Sequence, residues 1–148
     1  MAVLLIQFSD IHLSSNNDPI LQRIPSIKNA LRDKLDYSDD ILIIVPGDIA
    51  NSGNQREYDL AQNFFYDFVK EIKTLKQNIK IHYFIVPGNH DCDLKDYLHE
   101  DTRELAIKNV LKNPELLQKP GIIYDCLGPQ QSYFKLTCPP KTIPDIIS

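Results

Sequence analysis

Long apolar runs, surplus positive charge, glycine and cysteine are all scarce in this sequence. No uninterrupted apolar segment approaches the ~20 residues a helix needs to cross a bilayer, so no membrane partner is expected. Lys and Arg total 16 against 20 Asp and Glu, a formal net charge of −4. No broad basic face advertises nucleic-acid binding, and charge lends a nuclease reading no support. With 5 glycines, a collagen-like chain is excluded. Low-complexity tracts are absent. Cys92, Cys126 and Cys138 are odd in number and widely spaced, unlike a disulfide framework. The segment Met1 to Phe8 has no cationic start and no cleavage site, so no secretory signal is expected there. Reduced thiols in an intracellular, cytoplasmic protein are expected.

What is present is an ordinary globular mixture: 43% hydrophobic and 24% charged over 148 residues, enough for one domain with a core. Three short apolar runs, Val3–Phe8, Ile41–Val45 and Ile79–Val86, are rich in β-branched residues. They suit strands buried on both faces of a parallel sheet. Between them, Ile24, Ile27, Leu31 and Leu35 carry helical spacing, with Pro25 in the first turn. Ala61, Phe64, Phe65, Phe68, Ile72 and Leu75 form a second stripe, with Glu57, Asp59, Asp67, Lys70, Glu71 and Lys73 largely off it. The aromatics of that stripe read as core. Alternation of strand and helix predicts an α/β fold with a parallel βαβαβ core. A third helix is predicted over Thr102–Lys112, stopped near Pro114, and Gly121–Leu127 and Tyr133–Leu136 are candidate short strands. The tail 139–148, with Pro139, Pro140 and Pro144, reads as a loop or a cut edge.

The chemistry gathers at the strand ends. Ile44-Val45-Pro46-Gly47-Asp48 recurs as Ile85-Val86-Pro87-Gly88-Asn89. In each, an apolar strand enters a Pro-Gly turn and delivers an oxygen-bearing side chain. The first strand ends comparably at Ser9-Asp10-Ile11-His12. Ligands of open α/β sheets collect beyond the carboxyl ends of the strands, so Asp10, His12, Asp48, Asn89 and His90 aim at one place. Two carboxylates, an imidazole and an amide carbonyl make a mixed oxygen/nitrogen set suited to Mn²⁺, Fe or Zn²⁺ more than Ca²⁺. Asp10 and His12 share a side if their strand stays regular; a loop just beyond it converges them equally well. Asp48 has two oxygens and can bridge two ions.

Asp10-x-His12, Gly47-Asp48-(x4)-Gly53 and Gly88-Asn89-His90-Asp91, in this order and spacing, resemble the calcineurin-like metallophosphoesterase superfamily. The resemblance implies the amino-terminal part of a four-layer αββα sandwich. It also implies two divalent ions: Asp10 and His12 on the first, Asp48 bridging, Asn89 on the second. His90 then acts on the transition state or leaving oxygen from outside the metal shell, and Asp91 orients and polarises His90. Paired cations acidify water and offset phosphate charge, which is the physical logic of such sites.

The superfamily pattern continues with a later His and a Gly-His-x-His motif, whereas the last histidine here is His99. Residues 1–148 are therefore expected to form a single partial domain, the amino-terminal part of a longer protein. One ion, or none, is expected in this chain, against two in a complete domain. Protein phosphatases of the superfamily follow the bridging Asp with Asp-Arg-Gly and end the next motif in Glu. Here Asn51-Ser52-Gly53 and Asp91 stand there, which resembles the phosphodiesterase, nuclease and small-molecule branches, a nuclease being the subsidiary alternative. The expected substrate is a phosphodiester or a small phosphorylated compound. The alternative is a non-catalytic scaffold that keeps the fold with an incomplete metal site. Elsewhere the plainer readings apply: His82 a packed or edge histidine, His99 solvated, Cys92 an incidental thiol at the rim, and Ser14 to Asn17 a polar turn.

Overall fold

A computed structural model describes residues 2–94 and 100–136. His99, Cys138 and the expected tail 139–148 lie outside the described residues. Three parallel strands, β1 (Val3–Gln7), β2 (Asp40–Val45) and β3 (Lys80–Ile85), are hydrogen-bonded in the order β1-β2-β3. Helices α1 (Ile24–Leu35) and α2 (Gln55–Leu75) make the two connections. This is the predicted βαβαβ core, and Pro25 sits in the first turn of α1, where no backbone donor is needed.

Register decides which face is dry. Ile6 lies opposite Ile43, and Ile43 opposite Tyr83. Leu4, Ile6, Ile41, Ile43, Val45, Ile81, Tyr83 and Ile85 therefore share the face that packs with Ile24, Leu35, Phe64, Phe65, Phe68 and Ile72 of the helices. Phe8, just past β1, meets the rings of Phe64, Phe65 and Phe68 edge-on at 5.5, 5.9 and 5.3 Å, the geometry aromatic quadrupoles favour. The opposite face carries Leu5 and Phe84, 56% and 59% exposed. Burial on both faces, expected from the apolar runs, is thus corrected. Both connecting helices pack on one face, and among the described residues nothing covers the other to the same depth.

The helix pair is tied at its ends. Lys28 Nζ lies 2.7 Å from Glu71 Oε2. Lys76 Nζ donates to the carbonyls of Leu35 and Ser38 at 3.1 and 2.6 Å, placing a cation on the carbonyl end of α1 where the dipole favours it. At the start of α2, Asn54 Oδ1 accepts the Glu57 N–H at 3.1 Å. Glu57, grouped with the polar face by sequence, is buried because its carboxylate takes the Ser52 N–H and hydroxyl at 2.8 and 2.9 Å. Asn-x-x-Glu is a capping pattern. Asn54→Ala is expected to lower stability by about 1 kcal/mol, a drop of roughly 2–4 °C in the thermal midpoint for a chain of this size. An unchanged midpoint would show that the cap contributes nothing.

The elements described beyond β3 are helical, among them α3 (Glu100–Lys112), a 3-10 turn from Pro114 to Gln118, α4 (Pro120–Leu127) and α5 (Gln131–Lys135). The predicted third helix is present and Pro114 does stop it. The two candidate strands are not strands. Pro120 opens α4 in a position that needs no N–H, and a helix satisfies its own backbone groups where no strand lies alongside to pair with. Short apolar runs do not separate the two outcomes by period alone. No described helix is long and apolar enough to cross a membrane.

Candidate metal centre

The three strand ends are laced together by main-chain hydrogen bonds. Phe8 N–H donates to the Ile44 carbonyl at 2.9 Å, His12 N–H to Asp48 at 3.0 Å, and Leu13 N–H to Ile49 at 2.8 Å. Asn51 N–H returns to the Leu13 carbonyl at 3.1 Å, and Leu13 bridges Ala50 in parallel register. The loops after β1 and β2 consequently run side by side, carrying Asp10 and His12 past Asp48. On the other flank, Val86 N–H reaches the Val45 carbonyl at 3.0 Å. The two Pro-Gly turns touch: a Cβ on Gly47 would lie 2.9 Å from the Gly88 Cα.

Asp10, His12 and Asp48 have φ of 53°, 49° and 54°. Among the described residues these are the non-glycine positions with positive φ. L-residues visit that region rarely, and Asp and His are among the side chains that tolerate it best. Such outliers cluster at functional sites, held by surroundings that over-determine them. Here the lacing described above is the surrounding. The same three residues bring one ligand atom each within 4.8 Å of one another. Convergence is therefore achieved by a loop rather than by a regular strand; β1 has ended at Gln7. Asp10 is exposed, while His12 and Asp48 are half-buried.

The third motif wraps around Asp48. A Cβ on Gly88 would sit 2.2 Å from Asp48 Oδ1 and 2.6 Å from its nitrogen, so only glycine permits this approach. His90 N–H donates to Asp48 Oδ1 at 3.0 Å. Asn89 lies exposed between these two residues, both of which touch Asp48. The rings of His12 and His90 meet edge-on with centroids 4.5 Å apart, and the Ser9 hydroxyl donates to Asp10 Oδ2. The four predicted metal ligands and His90 thus occupy one set of adjoining loops.

Asp91 is placed differently from expectation. His90 Nδ1 is 2.8 Å from the Asn51 carbonyl; a carbonyl only accepts, so Nδ1 carries the proton and Nε2 is left for other partners. Asp91 is fully buried and takes the N–H groups of Ala50 at 2.9 Å, Ile49 at 3.3 Å and Gly88 at 2.8 Å. The Tyr58 hydroxyl completes the set at 2.9 Å from Oδ1. The expected Asp91–His90 pair is corrected: a buried carboxylate must be saturated with donors, and main-chain donors surround it. Burial, then the adjacent Asp91 charge, pushes the Tyr58 phenol far above its ordinary value, so it stays a donor. Sequence reasoning missed Tyr58 and Asn51. Tyr58 directly follows the capping Glu57, a usable signal; Asn51 contributes only a backbone carbonyl, which leaves no trace in residue type.

The plainer readings fare well at the margins. His82 is an exposed residue of β3, with Nε2 3.5 Å from Asp40. The Asp18 carboxylate takes the N–H groups of Ser14 and Ser15, both at 2.7 Å. Those two donors hold its pKa below the usual value and close the 14–18 turn. Cys92 Sγ receives a weak hydrogen bond from Gln130 Nε2 at 3.6 Å.

A family model described as calcineurin-like phosphoesterase matches residues 3–138 of this chain. Over 125 residues the chain is 28% identical to an uncharacterized protein of Acanthamoeba polyphaga mimivirus; the match covers 80% of this chain and 8% of that protein.

Proposed function

The chain belongs to the calcineurin-like phosphoesterase family, and from that premise we propose that it hydrolyses phosphoester bonds with divalent metal held at the ends of its three strands. The observation that carries this reading is the convergence of the Asp10, His12 and Asp48 donor atoms within 4.8 Å, each from a left-handed backbone position. Two carboxylates and one imidazole fit Mn²⁺, Fe or Zn²⁺ chemically. In this assignment Asp10 and His12 hold a first ion, Asp48 is shared, and Asn89 serves a second. Bound metal supplies charge to offset the phosphoryl oxygens and lowers the pKa of water.

The chain's own groups do the rest. The Asn51 carbonyl fixes the His90 ring through Nδ1–H, so Nε2 donates to the departing oxygen from the doubly protonated imidazolium form. His12, edge-on to that ring, restricts its rotation. The substrate class proposed is a phosphodiester or a small phosphorylated compound. Support comes from Asn51-Ser52-Gly53, which stands where protein phosphatases carry an arginine and which here is engaged in holding His90 and Glu57.

Incubating the chain with Mn²⁺ and bis(4-nitrophenyl) phosphate tests the reading. Metal-dependent release of 4-nitrophenol, suppressed by a chelator, is the expected result. No Mn²⁺ uptake even at millimolar metal would overturn it in favour of a scaffold role.

A further inference from the structure

The Asp91 carboxylate is the one fully buried charge of the described structure, and the function proposed above gives it no task. Its partners are arranged in an informative way. Ile49 and Ala50 immediately follow Asp48, while Gly88 immediately precedes Asn89. Oδ2 takes one donor from each loop, Ile49 N–H at 3.3 Å and Gly88 N–H at 2.8 Å. Oδ1 takes Ala50 N–H and the Tyr58 hydroxyl, both at 2.9 Å. Tyr58 is itself buried in α2, and its hydroxyl is also 3.2 Å from the Asp91 carbonyl.

We infer that Tyr58 and Asp91 together are positioning residues that set the distance between Asp48 and Asn89, the pair proposed to share the second metal ion. This inference rests on the metal reading. The carboxylate grips main chain on both sides of the gap that an ion would span, and Tyr58 anchors that grip to the helix packed on the sheet. A charged acceptor with four donors in a dry setting is stiff, because any displacement strands a buried donor. Gly88 conveys the constraint further, since its backbone lies directly against the Asp48 side chain. Neither residue touches substrate or metal in this assignment. They act on the ligands through the backbone, as outer-shell groups do for the side chains they orient.

The test is Mn²⁺ affinity, measured calorimetrically on the whole chain well below the thermal midpoint, so that every variant is fully folded. Tyr58→Phe keeps the ring and deletes one of the four donors; about fivefold weaker Mn²⁺ binding is expected, the worth of one hydrogen bond. Asp91→Asn keeps the shape but sets an amide N–H₂ against main-chain donors; roughly 10–100-fold weaker binding is expected. A purely structural role would lower the thermal midpoint and leave affinity of the folded protein unchanged, and that outcome in Tyr58→Phe overturns the inference alone. If Asp91→Asn does not fold, Tyr58→Phe decides. Wild-type chain that binds Mn²⁺ without hydrolysing the diester refutes the function and leaves the positioning intact. Wild-type chain that binds no Mn²⁺ overturns both.

Discussion

Asp48→Asn is expected to reduce hydrolysis of an aryl phosphodiester about a thousandfold, while leaving the fold in place. Asparagine keeps an oxygen for the His90 N–H now 3.0 Å from Asp48 Oδ1, and tolerates the φ of 54° better than most residues. What it loses is the negative charge at the point shared by both proposed ions. Mn²⁺ binding should fall with activity, because the remaining donors at the first ion are then Asp10 and His12 alone. A thousandfold loss corresponds to about 4 kcal/mol, within reach of removing metal-based charge stabilisation. The measurements are the rate with Mn²⁺ and the circular-dichroism spectrum of the same sample. Near wild-type rates with an intact spectrum would remove Asp48 from the mechanism.

The second large effect is on stability. Gly53 has φ of +74°, and a Cβ there would lie 2.5 Å from both the Asp93 nitrogen and the Cys92 carbonyl carbon. Those are main-chain atoms of the turn that carries His90 and Asp91, so no side chain can swing away to make room. Gly53→Ala combines left-handed strain of about 1–2 kcal/mol with overpacking of about 1–3 kcal/mol. A total loss near 3 kcal/mol or more is expected, read as a lower urea midpoint with an unchanged slope. The same change should weaken Mn²⁺ binding if the turn shifts to relieve the clash. A midpoint within a few tenths of a molar of wild type would mean the turn yields easily.

The readings that survived, and those that did not, separate by range. Pro-Gly-Asp and Pro-Gly-Asn after apolar runs announced two like turns at like strand ends, and those turns do lie against one another. The apolar stripe from Ala61 to Leu75 announced α2 and its buried face. Where local signals were even, the reading slipped: Gly121–Leu127 is equally apolar as strand or helix, and it forms α4. Apolar runs in β1 and β3 suggested two covered faces, but coverage depends on where the connecting helices lie, which alternation of elements does not state.

Residue type and short spacing alone determined the parallel α/β core and the placement of Asp10, His12, Asp48, Asn89 and His90 on loops at the strand ends. These depend on the pleat, the helical period and the backbone reach of a turn, all written within a few residues. Tertiary structure decided the rest. It gave His90 to the Asn51 carbonyl 39 positions away and Asp91 to the Ala50 N–H 41 positions away. It also put Tyr58 behind that carboxylate and the metal-type donors on left-handed backbone. The reason is physical: every backbone carries the same donor and acceptor, so their distant partners are set by how loops close over one another, and residue type leaves no mark of it.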